Sequence, residues 1–225
     1  MKIVLLAVAL AAALPAGAQS IFEHGDVLVS TVTETGMYTA ISRILLYRAD
    51  GTFKREIVSS DITDYRETLL RDGVLYTAER WQIGRFDDTA SVLTPFRTQP
   101  GFVYLSPSLD GSIVASDGSG LIYRLNPDGS IRTRRDTVIM NDPRARGVEL
   151  TSDQCTVVYL ARTRLARWDS CSNDTPELFG SVGPGPAGHA LRMLPDGSFI
   201  AAFLSDIVHY DPAGQIIRRF GIPGD

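Results

Sequence analysis

The residues able to do chemistry stand at matched distances before a recurring acidic turn. Tyr65, Arg146 and His189 each lie seven residues before Asp72, Asp153 and Asp196, and Phe102 is their counterpart before Asp110 with one extra residue. A second set lies four residues before the same aspartates: Thr68, Ser106, Glu149 and Arg192. His189, behind Gly183-Pro184-Gly185-Pro186-Ala187-Gly188, has the side chain of a general base. Glu149 could serve as an acid, a base or a hard-metal ligand. Arg146 and Arg192 could hold a carboxylate or phosphate bidentately. Each has a plainer reading as well. His189 can be hydrogen-bonded to backbone or water, and the arginines can balance Glu149 in a salt bridge.

Other chemistries lack their residues. A hard divalent cation needs several converging oxygen ligands. The matched positions offer Glu149, Glu67 beside them, and no Asn, because Asn126, Asn141 and Asn173 fall in turns or loops. His24, His189 and His209 have no metal-ligand spacing. Residues 183–188 match Gly-x-Gly-x-x-Gly, but two prolines and no following helix exclude a dinucleotide loop. Asp117-Gly118-Ser119-Gly120 is a turn without calcium-loop spacing. No metal site and no cofactor is expected.

Matched spacing implies repeated elements. Asp110-Gly111, Ser152-Asp153 and Asp196-Gly197 recur at a step of 43 residues, with Asp72-Gly73 and His24-Gly25 at neighbouring steps. Within the last unit, short alternating runs (190–194, 199–204, 207–210, 215–220) are separated by three turn signals. They predict four antiparallel strands. Tyr47, Phe86, Leu125, Trp168 and Tyr210 share one slot in the third strand. In four units an Asx residue follows it (Asp87, Asn126, Asp169, Asp211) to open the next turn through its side chain. Basic residues precede it at Arg85, Arg124, Arg167 and His209, pointing away from the packed face. A period near 40–45 with four strands per unit predicts an all-β propeller of five visible blades. A truncated six-bladed ring is the alternative. Unit one lacks an inner strand of its own, and Ile21-Phe22-Glu23 is the segment available to close the ring.

Residues 1–18 read as a secretory signal: Lys2, an apolar run to Leu14, and the small-x-small ending Ala16–Ala18. Residues 19–225 then form one propeller domain, exported to the periplasm or the extracellular space. A net charge of −4 excludes an electrostatic footprint for nucleic acid, and no later run is long enough to span a membrane. The only two cysteines, Cys155 and Cys171, centre on Thr163, which places them on antiparallel neighbours. In an oxidising compartment they are expected to form a structural disulfide.

The Asp-Gly turns in Leu109-Asp110-Gly111-Ser112-Ile113 and Leu194-Pro195-Asp196-Gly197-Ser198-Phe199 resemble the NHL-type and gluconolactonase-like bacterial propellers. Ser152-Asp153-Gln154-Cys155-Thr156, Arg167-Trp168-Asp169-Ser170-Cys171 and Ala190 to Gly197 resemble a group of exported bacterial propellers. That group has no agreed catalytic residues. The lactonase-like resemblance implies a metal-dependent hydrolase or a propeller lyase, with a divalent cation such as calcium and with Glu149 and His189 as the acting groups. Intact repeats beside few catalytic residues favour a different reading. In that reading the chain is a non-catalytic monomer binding a small molecule or an extracellular protein at its channel, through Tyr65, Phe102, Arg146, Glu149, His189 and Arg192.

Overall fold

The computed structural model describes residues 21–36, 39–60, 65–87, 94–98, 101–137, 145–172, 174–184, 188–203 and 206–221. The expected signal peptide lies outside them, as do Asn141 and Asn173. All nineteen described elements are strands, so no described helix is long and apolar enough to cross a membrane. The strands form five antiparallel sheets. Blade 1 holds β1 (Val27–Gly36), β2 (Thr39–Tyr47) and β3 (Phe53–Ser60). Blade 2 holds β4 (Tyr65–Arg71), β5 (Val74–Glu79), β6 (Gln82–Asp87) and β7 (Thr94–Thr98). Blade 3 holds β8 (Tyr104–Pro107), β9 (Ile113–Ser116), β10 (Leu121–Leu125) and β11 (Ile131–Asp136). Blade 4 holds β12 (Ala145–Leu150), β13 (Thr156–Ala161), β14 (Arg164–Asp169) and β15 (Glu177–Phe179). Blade 5 holds β16 (Gly188–Met193), β17 (Phe199–Phe203), β18 (Asp206–Tyr210) and β19 (Ile216–Gly221). The chain is a five-bladed β-propeller, and among the described residues blade 1 begins at the second-strand position, in line with the unclear inner strand of its repeat.

The core lies between blades because strand side chains alternate between the two faces of a sheet. On blade 3, Ile113, Ala115, Tyr123 and Leu125 pack with Ala78 and Ile83 of blade 2, while Val114 and Ile122 pack with Val148, Val157, Tyr159 and Trp168 of blade 4. Blade 4 then turns Val158, Leu160 and Leu165 toward Leu191, Phe199, Val208 and Tyr210 of blade 5. Inner blades are buried on both faces, which is why their strands read as continuous apolar runs. Each fully buried large side chain contributes about 1.5–3 kcal/mol. The third-strand slot packs as expected: Phe86, Leu125, Trp168 and Tyr210 are all buried against the preceding blade. Tyr47 meets Phe53 edge-to-face at 5.7 Å.

The outward faces of the terminal blades differ. Ile207 and Phe220, paired across β18 and β19, are 47 % and 45 % exposed, and Val27 and Phe53 on blade 1 are 50 % and 56 % exposed. Ile21 and Phe22 do not pair as a strand. They pack against the Ile44–Leu75–Phe86 cluster of blades 1 and 2 instead.

Turn chemistry follows the sequence closely. In Asp-Gly-Ser turns the aspartate accepts from the serine two residues on. Ser112 N and Oγ lie 2.9 and 2.6 Å from Asp110 Oδ1, and Ser130 and Ser198 repeat this on Asp128 and Asp196. The disulfide joins Cys155 to Cys171 with Cα atoms 5.2 Å apart. Thr156 pairs with Asp169, so the cysteines flank the ladder rather than sit within it, and Ser170 N donates to Cys155 O at 2.9 Å.

One expected orientation fails. Arg124, expected to point away from the packed face, is only 5 % exposed and lies in the packing between blades 3 and 4. Its guanidinium crosses from blade 3 to blade 4 and donates to Gln154 O at 2.8 Å and Ser170 Oγ at 3.2 Å, while Nε donates to Ser112 Oγ at 3.1 Å. The serines and carbonyls ringing it replace the water a buried cation loses.

Candidate functional site

The inner strands β4, β8, β12 and β16 place two tiers of polar side chains along the channel. The deeper tier is built on Arg192. Its Nη1 donates to Glu149 Oε1 at 2.7 Å, and its Nη2 pairs with Glu67 Oε1 across the channel. The other oxygens of both glutamates are also taken. Leu105 N donates to Glu67 Oε2 at 2.7 Å, and Ser106 Oγ lies 3.4 Å from Glu149 Oε2. Ser106 Oγ in turn accepts from Leu150 N at 3.0 Å. Four strands are thus tied by one cation and two carboxylates.

Both glutamate side chains are nearly buried, whereas that of Arg192 is 54 % exposed. Burial raises the pKa of Glu67 and of Glu149 above the usual carboxylate value, although Arg192 pulls both down. Glu67 adds to the rise at Glu149 by like-charge repulsion, since one guanidinium cannot neutralise two carboxylates. Arg192 itself is raised: burial opposes its charge, but the two glutamates outweigh that.

The outer tier lies three residues earlier on the strands, about 10 Å along the axis. Arg146 Nη1 donates to Gly188 O at 3.0 Å and lies 3.2 Å from His189 Nδ1. An arginine can only donate, so Nδ1 must be the bare nitrogen and Nε2 carries the hydrogen. Tyr104 OH donates to His189 O at 2.5 Å, and burial raises its pKa. Three inner strands are irregular at this level. The β4 register shifts between Tyr65 and Glu67, that of β12 between Arg146 and Glu149, and that of β16 between Gly188 and Ala190. The β12 shift carries Gly147 at φ +55°, where an added Cβ would come within 2.3 Å of Leu191 N. Only glycine lets β12 and β16 approach this closely.

The structure brings Arg146 to His189 and Arg192 to Glu149, so the balancing salt bridge weighed for the second pair is the one formed. Phe102 departs from its expected place. It is fully buried, edge-to-face with Tyr123 at 5.6 Å, and belongs to the core between blades 2 and 3. Its backbone precedes β8, and the extra residue that aligned it was the warning sign. Tyr65 opens β4 opposite Glu79; its side chain is outside the described set. Glu67 rather than Thr68 completes the deeper tier. Asp72-Gly73 is a two-residue turn with both φ angles positive (50° and 76°) and Arg71 paired to Val74, whereas Asp110 and Asp196 sit in longer loops. The shorter turn displaces the count on β4. Tyr104 was missed because it lies six residues before Asp110, off both the seven- and four-residue counts.

The donor set does not fit a divalent cation. All four carboxylate oxygens of Glu67 and Glu149 already accept hydrogen bonds, and the guanidinium between them occupies the converging position with its own positive charge. Asn126 is spent on its turn, donating to Ser130 Oγ at 2.9 Å. Cys155, Asp169 and Cys171 cluster on blade 4, but both sulfurs are in the disulfide. A cavity of about 320 Å³ on the rim of the same blade, against Asp169 and Glu177, is away from the channel.

No protein-family model and no curated protein matches the sequence. Solved structures do match in shape. A catalytically inactive virginiamycin B lyase from Staphylococcus aureus, solved with quinupristin, is 13 % identical with a TM-score of 0.64, over 89 % of this chain and 72 % of that one. A gluconolactonase from Xanthomonas campestris is 18 % identical with a TM-score of 0.63, over 83 % and 73 %. The WD40 propeller domain of Doa1 is 9 % identical, also at 0.63, over 86 % and 68 %. At these identities the likeness is one of fold. A lyase, a gluconolactonase and a WD40 propeller domain share the shape, so the shape does not choose among them.

Proposed function

We propose that the chain is an exported, non-catalytic propeller that binds a small solute at the mouth of its channel. One observation carries this reading: each candidate catalytic group has its reactive atom consumed by an arginine. Glu149 is held by Arg192 and Ser106, and His189 offers Arg146 its only basic nitrogen. A general base needs a free lone pair aimed at substrate, and a metal site needs free converging oxygens. Pinned, half-exposed cations lining a channel suit recognition better than turnover. The disulfide is compatible with export into an oxidising compartment.

The rival reading is a lactonase-like hydrolase or lyase using Glu149 and His189. The two are separated by screening purified protein for lactone and ester hydrolysis and for eliminative ring opening, with and without calcium, magnesium or zinc. The binding reading expects no turnover above background and no stoichiometric metal by native mass spectrometry. Metal-dependent turnover abolished by Glu149→Gln would overturn it.

A further inference from the structure

Successive blades meet through the same two positions each time. One is the large apolar slot of the third strand. The other is the aliphatic residue three places earlier, which points to the opposite face of the sheet. Ile44 shares a cluster with Phe86 of blade 2, Ile83 with Leu125 of blade 3, Ile122 with Trp168 of blade 4, and Leu165 with Tyr210 of blade 5. All four aliphatic residues are fully buried. Ile207 is the fifth of this series, and nearly half of it is exposed. The slot left over for it is Tyr47 of blade 1, the one slot residue that is only partly buried. Directly opposed residues of an antiparallel pair share a face. Phe220 pairs with Ile207, and Val27 and Phe53 pair with Tyr47, and all three are about half exposed. The chain thus carries both unused halves of a contact that it makes four times internally.

We infer that a second copy of this chain covers these faces, with the Ile207–Phe220 face of blade 5 docking on the Val27–Tyr47–Phe53 face of blade 1 of the next copy. Bare apolar faces of this kind mark interaction sites, and the repeat names the occupant. The Ile207 side of every other blade is covered by the slot side of the blade that follows. Within one chain that closure is not made. Inner strands pack on one another from β4 to β16, and β1 packs on β4, but β16 makes no comparable contact with β1. No apolar cluster of the described residues joins blade 5 to blade 1. Arg192 ties blade 5 to Glu67 of blade 2 and Glu149 of blade 4 instead. The two halves differ, so the pairing is head to tail. Such contacts build closed rings or open fibres according to the rotation between copies. The inference is independent of what the channel binds.

The test is sedimentation velocity of the oxidised protein from low to high micromolar concentration. The wild type should sediment as more than a monomer, in closed rings or growing fibres. Ile207→Asp and Phe53→Asp should each weaken self-association tenfold or more, because each puts a charge where the contact would strip it of water. Both side chains are exposed within one copy, so both variants should keep the wild-type far-UV circular dichroism. An equimolar mixture of the two should form one-to-one dimers and nothing larger, since each retains the face the other has lost. Phe220→Asp and Val27→Asp repeat the pair if either first variant loses its fold. A wild type that stays monomeric throughout overturns the proposal, because the faces then meet within one chain or remain bare. Self-association that survives Phe53→Asp, or a mixture that stays monomeric, also overturns it, because blade 1 is then not the surface that blade 5 meets.

Discussion

The carboxylates of the turn rim and those of the channel respond to folding in opposite directions. At the turn rim Asp110, Asp128, Asp153 and Asp196 are held below the ordinary aspartate value, chiefly by donors within their own turns. In the channel, four residues back along β12 and slightly further along β4, Glu149 and Glu67 are pushed upward by burial. The rim carboxylates have local donors that favour the charge, and water remains close. The channel glutamates have lost water and must share one guanidinium. The same chemical group therefore stabilises the fold ionised at one end of the strand and is strained by ionisation at the other.

The largest break in this contrast comes from removing the shared cation. Arg192→Met leaves two nearly buried carboxylates without their partner. The loss should be about 3 kcal/mol at pH 7, the lower end for a broken buried pair because Arg192 is itself half exposed. Urea unfolding at pH 7 and pH 4.5 should show a smaller penalty at the lower pH, where the glutamates are more readily protonated. An equal penalty at both would mean Arg192 acts by packing alone.

Next in size is the staple on the rim. Cys155→Ser with Cys171→Ser opens a loop of 16 residues' separation and should cost about 2–3 kcal/mol. It loosens the turn that carries Gln154, whose side chain accepts from Leu109 N of blade 3 at 2.7 Å. Thermal unfolding should register the cost, while the His189 resonances stay unchanged because the channel tiers are built on other strands.

The stability profile against pH should show both populations. Glu67 and Glu149 hold protons more tightly folded than unfolded. Their contribution is complete below about pH 4.5, the ordinary glutamate value, and is lost as pH rises through their folded values. The rim aspartates do the reverse, contributing above 3.8 and losing it as pH falls. Stability should therefore peak in mildly acid solution. Replacing both glutamates by Gln should flatten the decline on the alkaline side. A remainder is expected from Glu79, which is buried against Thr77 and Gln82 and also raised. The smallest effect belongs to a single rim residue. Asp196→Asn should lower stability slightly at neutral pH and converge with the wild type as the medium becomes strongly acid.

Much of this was legible in the chain because it is local. Asp-Gly-Ser turns, the third-strand aromatic slot and the inner-strand positions of Arg146, Glu149, His189 and Arg192 follow from repeat spacing. Their side chains are placed by turn and strand geometry within one blade. The misreadings share a cause. Thr68 stood in for Glu67 because one turn is tighter, Arg124 was turned away from the packed face although its partners lie on the next blade, and Phe102 was put in the channel although blade 2 covers it. Strands β7 and β15 are short edge strands that bury little and carry no strong alternation, so repeat spacing does not mark them.

What the sequence by itself determined was the repeat: four-stranded antiparallel units, their turns, the apolar faces they must cover, and the cysteine pair. The tertiary structure alone decided which charges meet. Glu67 and Arg192 are separated by 125 positions, and only the circular arrangement of inner strands brings them to one guanidinium. Periodicity specifies a side chain's face because it is a property of one strand. The partner across a channel depends on how blades rotate about an axis, and no local pattern encodes that distance.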